Sequence, residues 1–367
     1  MAEQAAVPEE GAATGAVLVT GAGGYVGSWI VKRLLERGFR VHGTLRDPAD
    51  ARRTTHLRTL SDAAPGRLTL FAADLLDPGG FDAAMAGCRL VFHTASPFIA
   101  RGVRDPVRDL VEPAEQGTRN VLGAVDRTPS VRRVVLTSSV AAVYGDATEL
   151  AQTGSGRFDE SHWNRSSSVR HQPYSWSKTL AERLAWELAG RQDRWDLVVV
   201  NPGLVLGPAL SPHATSESVA LMRDFGTGYY RFGAPALEWG VVDVRDVAEA
   251  HLQAGLRPAA SGRHILVAET LGLPGIGRIL REHFGDRYPF PRFVVPKPLV
   301  MLLGPAMGIP LAYIARNVGH EVRFDNRYAR QDLGIDFRPA AEAVVDHFRQ
   351  LLEDGLVGRR ASGDDAD

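Results

Sequence analysis

The chain is poor in cysteine and in lysine. Cys88 is the sole cysteine of 367 residues, which excludes an internal disulfide and a zinc site built on several thiolates. It stands in the apolar run Gly87-Cys88-Arg89-Leu90-Val91-Phe92 and reads as a buried core thiol. Of 42 basic residues only Lys32, Lys178 and Lys297 are lysines, so a lysine needed for chemistry is easy to see. Net charge is also scarce: the formal value is −1, which gives the whole chain no electrostatic footprint for nucleic acid or an acidic membrane. A small molecule is the expected partner. Long apolar runs are missing too. Residues 298–315 carry no charge, but Gly304, Pro305, Gly308 and Pro310 interrupt a stretch barely long enough to span a bilayer, and no transmembrane helix is expected. Residues 1–15 are small and acidic and lack the basic start and apolar centre of a signal peptide, so a cytoplasmic chain is expected. That stretch and 357–367 read as disordered tails.

What is present is enough apolar material, 44%, to bury a full core. Short β-branched runs at Ala16–Thr20, Arg40–Leu45, Leu68–Ala72, Leu90–His93, Val134–Thr137 and Leu197–Val200 alternate with helical patterns, clearest at Gly24–Gly38, Pro106–Thr128 and Pro173–Gly190. This alternation predicts a doubly wound parallel sheet with its ligand crevice at the strand C-terminal ends. Beyond Asn201-Pro202-Gly203 proline and glycine clusters break the pattern. The expected division is therefore a dinucleotide-binding domain over 16–206, to which 239–257 returns as a strand and helix. A smaller, mostly helical substrate-binding part takes 207–238 and 258–356.

Val17-Leu18-Val19-Thr20 runs into Gly21-Ala22-Gly23-Gly24-Tyr25-Val26-Gly27 and then an apolar-periodic helix. Here Gly21 permits a tight turn, Gly24 lets backbone approach a pyrophosphate, and Gly27 lets helix and strand pack closely, with helix N–H groups facing the anion. The second strand ends at Thr44-Leu45 with Arg46, where an NAD site has an acid for the ribose hydroxyls. A guanidinium suits a 2′-phosphate, which it binds with two parallel hydrogen bonds, and Arg52 and Arg53 follow closely. Asp47, next to Arg46, can accept from a ribose and leaves the alternative open.

Pro173-Tyr174-Ser175-Trp176-Ser177-Lys178 opens a helix and puts Tyr174 and Lys178 one turn apart on one face. With eight tyrosines and three lysines in 367 positions, that spacing arises by chance in only ~0.07 chains, against ~0.4 for the glycine pattern. The pair therefore carries more weight. Hydride transfer to a carbonyl leaves an alkoxide that needs a proton, and a phenol with a free pKa of about 10 gives one sluggishly. A nearby ammonium is expected to lower that pKa and to hold a nicotinamide ribose. A donor for the carbonyl oxygen is expected from Thr137-Ser138-Ser139 at a strand end; alternation lets one serine face the pocket without saying which. His93 has no partner at ligand spacing, so it reads as structural and no metal is expected.

Taken together, Thr20 to Gly27, Arg46-Asp47-Pro48, Asp74-Leu75, Val91 to Pro97, Thr137-Ser138-Ser139 and Tyr174 to Lys178 resemble the extended short-chain dehydrogenase/reductase family. Within it the closest likeness is to the dihydroflavonol reductase, cinnamoyl-CoA reductase and yeast aldehyde (methylglyoxal) reductase branch. The resemblance implies a Rossmann fold, NADP(H) as cofactor, and Ser139, Tyr174 and Lys178 as the catalytic set. It further implies Arg46 with Arg53 on the 2′-phosphate, Asp74 and Leu75 at the adenine, Thr94, Ala95 and Ser96 beside the cofactor, and Pro202, Gly203, Leu204 and Val205 beside the nicotinamide. Plant relatives lack an obvious counterpart of the proline-broken apolar stretch 296–318, which is expected to form either a lid over an apolar substrate or plain core helices. Phe98, Tyr144, Tyr229, Tyr230 and Trp239 are candidate substrate contacts in loops above the crevice.

The expected activity is NADPH-dependent reduction of an aldehyde or ketone by a monomer or homodimer. A sugar-nucleotide epimerase or dehydratase, or a hydroxysteroid dehydrogenase, shares the fold and the triad, although Arg46 argues against the NAD-dependent members. A non-catalytic NADP-sensing regulator would be expected to lack the Tyr174–Lys178 pair.

Overall fold

The computed structural model describes residues 15–96, 103–214 and 216–358. In chain order the first half gives β1 (Ala16–Thr20), α1 (Tyr25–Glu36), β2 (Val41–Leu45), α2 (Ala51–Ala63), β3 (Leu68–Ala72), α3 (Asp82–Met85), β4 (Cys88–His93), α4 (Glu112–Arg127), β5 (Arg133–Thr137), α5 (Pro173–Ala189) and β6 (Asp196–Pro202). Every strand and helix read from the first half of the sequence is among these, and a wide turn over Val107–Val111 leads into α4.

These elements form a Rossmann fold. Seven strands lie in the order β10-β6-β5-β4-β1-β2-β3, where β10 is Gly262–Leu266, and every pairing is parallel. All five residues of β1 are buried, as expected for a central parallel strand covered on both faces. The apolar stripe of α1 (Trp29, Ile30, Leu34, Leu35) packs on one face with Val247 and Leu252. Val121, Leu122 and Val125 from α4 and Ala185 from α5 cover the other. The chain reverses direction across the sheet between β1 and β4, which opens a crevice at their C-terminal ends.

The second half gives β7 (Leu204–Leu206), α6 (Glu217–Thr227), β8 (Ala234–Pro235), β9 (Glu238–Asp243), α7 (Val244–Leu256), β10, β11 (Glu269–Gly272), α8 (Leu273–Phe284), β12 (Val294–Val295), α9 (Lys297–Leu303), α10 (Leu311–Asn317), α11 (Arg327–Asp332) and α12 (Ala340–Glu353). A third core around Phe225, Leu280, Tyr288 and Phe348 joins α6, α8 and α12. One expectation needs correction here. The helix after Trp239 does return to the large sheet as α7, but its strand β9 pairs with β7 and β11 in a separate three-stranded sheet. The strand that completes the large sheet is β10, which the sequence reading left in the substrate part. Arg263 and His264 disguise it: both are buried because each has an acid partner, Glu182 and Asp332 respectively, and polar residues in a strand read as loop.

The apolar stretch 296–318 is part core and part exposed surface. Val300, Ile314 and Val318 make a small core of their own, while Leu299, Leu302, Leu303, Met307 and Leu311 are exposed. Residue 98 and most of both terminal tails lie outside the described residues, and no described helix is long and apolar enough to cross a membrane.

Candidate active site

The crevice is built from strand ends. Gly21 takes a left-handed φ of 68°, which only glycine adopts without penalty, and a Cβ on Gly27 would overlap the Gly21 carbonyl oxygen. The glycine spacing is thus set by close approach of the turn to α1. Gly24 begins the helix with no side-chain cap, so the first-turn N–H groups of Tyr25, Val26 and Gly27 have no intrahelical acceptor and suit an anion. The Tyr25 side chain points elsewhere: its hydroxyl donates to Gly207 O at 2.5 Å, and Trp29 Nε1 donates to Pro208 O at 2.8 Å. These two bonds tie the start of α1 to the C-terminal part.

Around this turn, Thr94 Oγ1 donates to Thr20 O at 2.6 Å and Ala95 N to Thr20 Oγ1 at 3.1 Å, which fixes the β4 end against β1. Asp74 is exposed at the end of β3, where its carboxylate accepts from Leu76 N. Leu75 packs on Gly117, and its carbonyl accepts from Asn120 Nδ2 at 2.7 Å. Arg46, Arg52 and Arg53 are exposed just beyond β2, and the backbone carbonyl of Arg53 reaches Gly23. None of the three guanidinium groups has a hydrogen bond or ion pair among the described residues.

Helix α5 starts with Pro173, which supplies a helical φ where no N–H is needed, and projects Tyr174, Lys178 and Glu182 from one face at successive turns. Lys178 Nζ donates to Ser96 Oγ at 3.0 Å. It lines a cavity with Leu75, His93, Ala95, Ser138 and Glu182. Tyr174 sits at the rim and is 42% exposed. Ser139 is half-buried; its Oγ accepts from Ala141 N at 3.1 Å and lies 3.4 Å from Pro202 O. Ser138 points the other way and donates to Glu182. The alternation along the strand end thus separates the two serines, and Ser139 is the one left toward the β6 exit.

Electrostatics depart from the sequence-based expectation in one respect. Burial pushes the Tyr174 phenol up to about 12, with Glu217 adding to the shift. No lowering of the phenol by Lys178 offsets that rise. Burial brings the ammonium down to about 8, opposed by Glu182. His93 is neutral: burial, then Lys178, takes it down to about 3, and its Nδ1 lies 2.9 Å from Thr20 Oγ1. That position is structural. Burial also holds the Cys88 thiol up at about 12.

Glu182 escaped the sequence reading. It is 1% exposed and accepts from Ser138, from Asn201 Nδ2 at 2.8 Å and from Arg263 Nε at 2.5 Å. The continuation of the Tyr174, Lys178 spacing by one more turn was the available signal. Gly203 has a comparable role in packing, since a Cβ there would strike the Gly240 carbonyl; Leu204 and Val205 follow it into β7 beside Val241 and Val242.

The aromatic candidates scatter. Tyr144 belongs to the core, stacked on Phe158 at 4.7 Å between ring centres and edge-on to Phe324 at 5.5 Å, so its ring is not the loop contact expected. Tyr230 packs on Phe225 at 4.8 Å, also within apolar packing, whereas Tyr229 is exposed. Trp239 is half-buried in β9 and bonded to Tyr313. Phe98 falls outside the described residues. Among the described residues no group of three or more His, Cys, Asp or Glu side chains could hold a metal ion.

Comparison with known proteins agrees with this geometry. The family model described as "NAD dependent epimerase/dehydratase family" matches residues 17–268. The chain is 43% identical over 269 residues to cinnamoyl-CoA reductase CAD2 of Medicago truncatula, covering 72% of this chain and 80% of that one. It is 37% identical over 343 residues to cinnamoyl-CoA reductase 1 of Petunia hybrida, covering 92% of each. Among solved structures it resembles yeast methylglyoxal/isovaleraldehyde reductase Gre2 complexed with NADPH, with a TM-score of 0.75 and 27% identity over 93% of this chain and 100% of that one.

Proposed function

Since the chain belongs to the NAD dependent epimerase/dehydratase family, the extended short-chain dehydrogenases/reductases, we propose that it uses NADPH to reduce the carbonyl of a small, apolar aldehyde or ketone to an alcohol. The observation that carries this reading is the one-turn spacing of Tyr174 and Lys178 on α5, with Lys178 Nζ bonded to Ser96 Oγ just beyond β4. The residues present fit a nicotinamide dinucleotide: the Gly21 turn and open start of α1 suit its pyrophosphate, and the three unpaired arginines after β2 suit a 2′-phosphate.

When bound, the cofactor supplies the hydride. The protein does the rest. Tyr174 carries its proton throughout the neutral range and donates it from Oη to the carbonyl oxygen as charge develops there. Ser139 Oγ gives that oxygen a second hydrogen bond, which strengthens as it becomes an alkoxide. Lys178, bonded to Ser96 in the crevice, orients the nicotinamide ribose. A second reading, reduction of an acyl-CoA thioester, is favoured by the relatives named cinnamoyl-CoA reductases. Hydride adds to the thioester carbonyl carbon, and the C–S bond then breaks to release the CoA thiol, which takes up the proton, and leave an aldehyde.

The test is NADPH oxidation with a panel of aldehydes, α-diketones, β-ketoesters, steroid ketones and cinnamoyl-CoA, with NADH as control. Turnover with NADH and none with NADPH would overturn the cofactor assignment. Arg46→Ala is expected to raise KM for NADPH by about 10- to 100-fold, the worth of a charge-assisted hydrogen-bonded pair, and to leave KM for NADH nearly unchanged. Equal effects on both cofactors would remove the 2′-phosphate from Arg46.

A further inference from the structure

Gln172 is the only non-glycine residue with a positive φ among the described residues, at 54°. It stands directly before Pro173 and Tyr174, as the residue from which α5 starts. Glutamine has no preference for this left-handed conformation, so something must hold it.

The holding group is Asp146. Its carboxylate is 1% exposed and accepts from Gln172 Nε2 at 2.8 Å and from His171 Nε2 at 2.9 Å. The Gln172 amide also donates to Gly145 O at 2.9 Å, so the side chain is gripped twice by the loop that leaves Ser139. Asp146 also accepts from Asn317 Nδ2 at 2.8 Å and Arg316 Nη1 at 3.2 Å, both at the end of α10. Asn317 Oδ1 in turn accepts from Ala147 N at 2.9 Å. Three segments therefore meet on one carboxylate: the loop after the strand bearing Ser139, the start of the helix bearing Tyr174, and the apolar α9–α10 unit. Burial opposes its charge, but the bonds from Asn317, His171 and Arg316 hold the acid below the usual carboxylate range.

We infer that Asp146 is a positioning residue for Tyr174, which fixes the left-handed start of α5 and ties it to the α9–α10 unit. This rests on the reductase reading above. A shift of the helix start by a fraction of an ångström moves the phenol relative to Ser139, and misplacement on that scale is costly to a reacting geometry.

The experiment uses the full chain, with NADPH and a carbonyl that the wild type turns over. Asp146→Ala is expected to lower kcat about 10- to 100-fold while KM for NADPH stays within about twofold, because the phosphate turn lies on β1 and α1. Adding Gln172→Gly to Asp146→Ala is expected to recover most of the lost kcat, since glycine takes the left-handed conformation without being held. Gln172→Ala alone should lose kcat and Gln172→Gly alone should not.

Wild-type kcat in Asp146→Ala, or a loss that Gln172→Gly does not recover, overturns the assignment. If Asp146→Ala does not fold, as judged by NADPH binding, the Gln172 pair decides: equal kcat for the alanine and glycine variants overturns it. A wild-type chain that reduces no carbonyl contradicts the functional reading itself, whereas an active wild type with an unaffected Asp146→Ala contradicts only the positioning role.

Discussion

Tyr174→Phe is expected to lower kcat by about 10²- to 10⁴-fold, the range for loss of a positioned general acid, while leaving the KM for NADPH within about twofold. The phenol oxygen is at the rim of the crevice and keeps its proton at neutral pH. Lys178 lies deeper, against Ser96, and Ser139 Oγ already engages the turn that follows it. Removing one oxygen leaves the ring, and Tyr174 is not part of the buried core, so stability should scarcely change. An unchanged melting temperature with a collapsed kcat separates a lost proton donor from a damaged fold. Full turnover in Tyr174→Phe would assign the proton to another group, and the mechanism above would have to be rebuilt around it.

Lys178→Met is expected to lower kcat/KM by roughly 10- to 10³-fold, through loss of the group that orients the nicotinamide ribose, and at the same time to raise stability near neutral pH. The sign of the second effect follows from linkage. Burial takes the folded-state pKa of Lys178 down to about 8 from an ordinary 10.5, so the unfolded chain binds more protons between those values. Stability then rises with pH across that window, and the buried charge costs most below pH 8. A methionine of similar length removes that cost. Activity should show the complementary limb. In the wild type, kcat/KM for NADPH, which reports the free enzyme, is expected to fall as pH rises through about 8 and the ammonium is lost. Tyr174, held up to about 12, keeps its proton over the same range. In Lys178→Met the limb should vanish. A limb that persists in the variant would belong to a different group.

Much of this was legible in the sequence where short-range rules dominate. The inner strands β1, β4 and β5 are largely buried, and β1 and β5 are rich in β-branched residues, so they read as strands without help. The Gly21-to-Gly27 spacing encodes a steric fact, the contact between Gly27 and the Gly21 carbonyl, and the Tyr174–Lys178 spacing encodes one helical turn. What stayed hidden depends on pairing over long sequence distances. β10 was missed because Arg263 and His264 are neutralised by Glu182 and Asp332, partners 81 and 68 residues away. Nothing in the sequence around Asp146 marks it, because its bonds reach Asn317, 171 residues on. Tyr144 read as a loop aromatic because Phe158 and Phe324, which pack on its ring, both lie outside its local sequence pattern, Phe324 in the last part of the chain. The phenol pKa goes the other way from the expectation because burial and then Glu217 raise it, and neither is visible in the Tyr174–Lys178 spacing.

The most direct test of the central claim is a crystal structure of the chain with NADP⁺ and a carbonyl or alcohol ligand. The account predicts that Tyr174 Oη and Ser139 Oγ both lie within hydrogen-bonding distance of the ligand oxygen, about 2.6–3.2 Å, and that Lys178 Nζ bonds the nicotinamide ribose. A phenol lying beyond reach of both the nicotinamide and the ligand oxygen would contradict it.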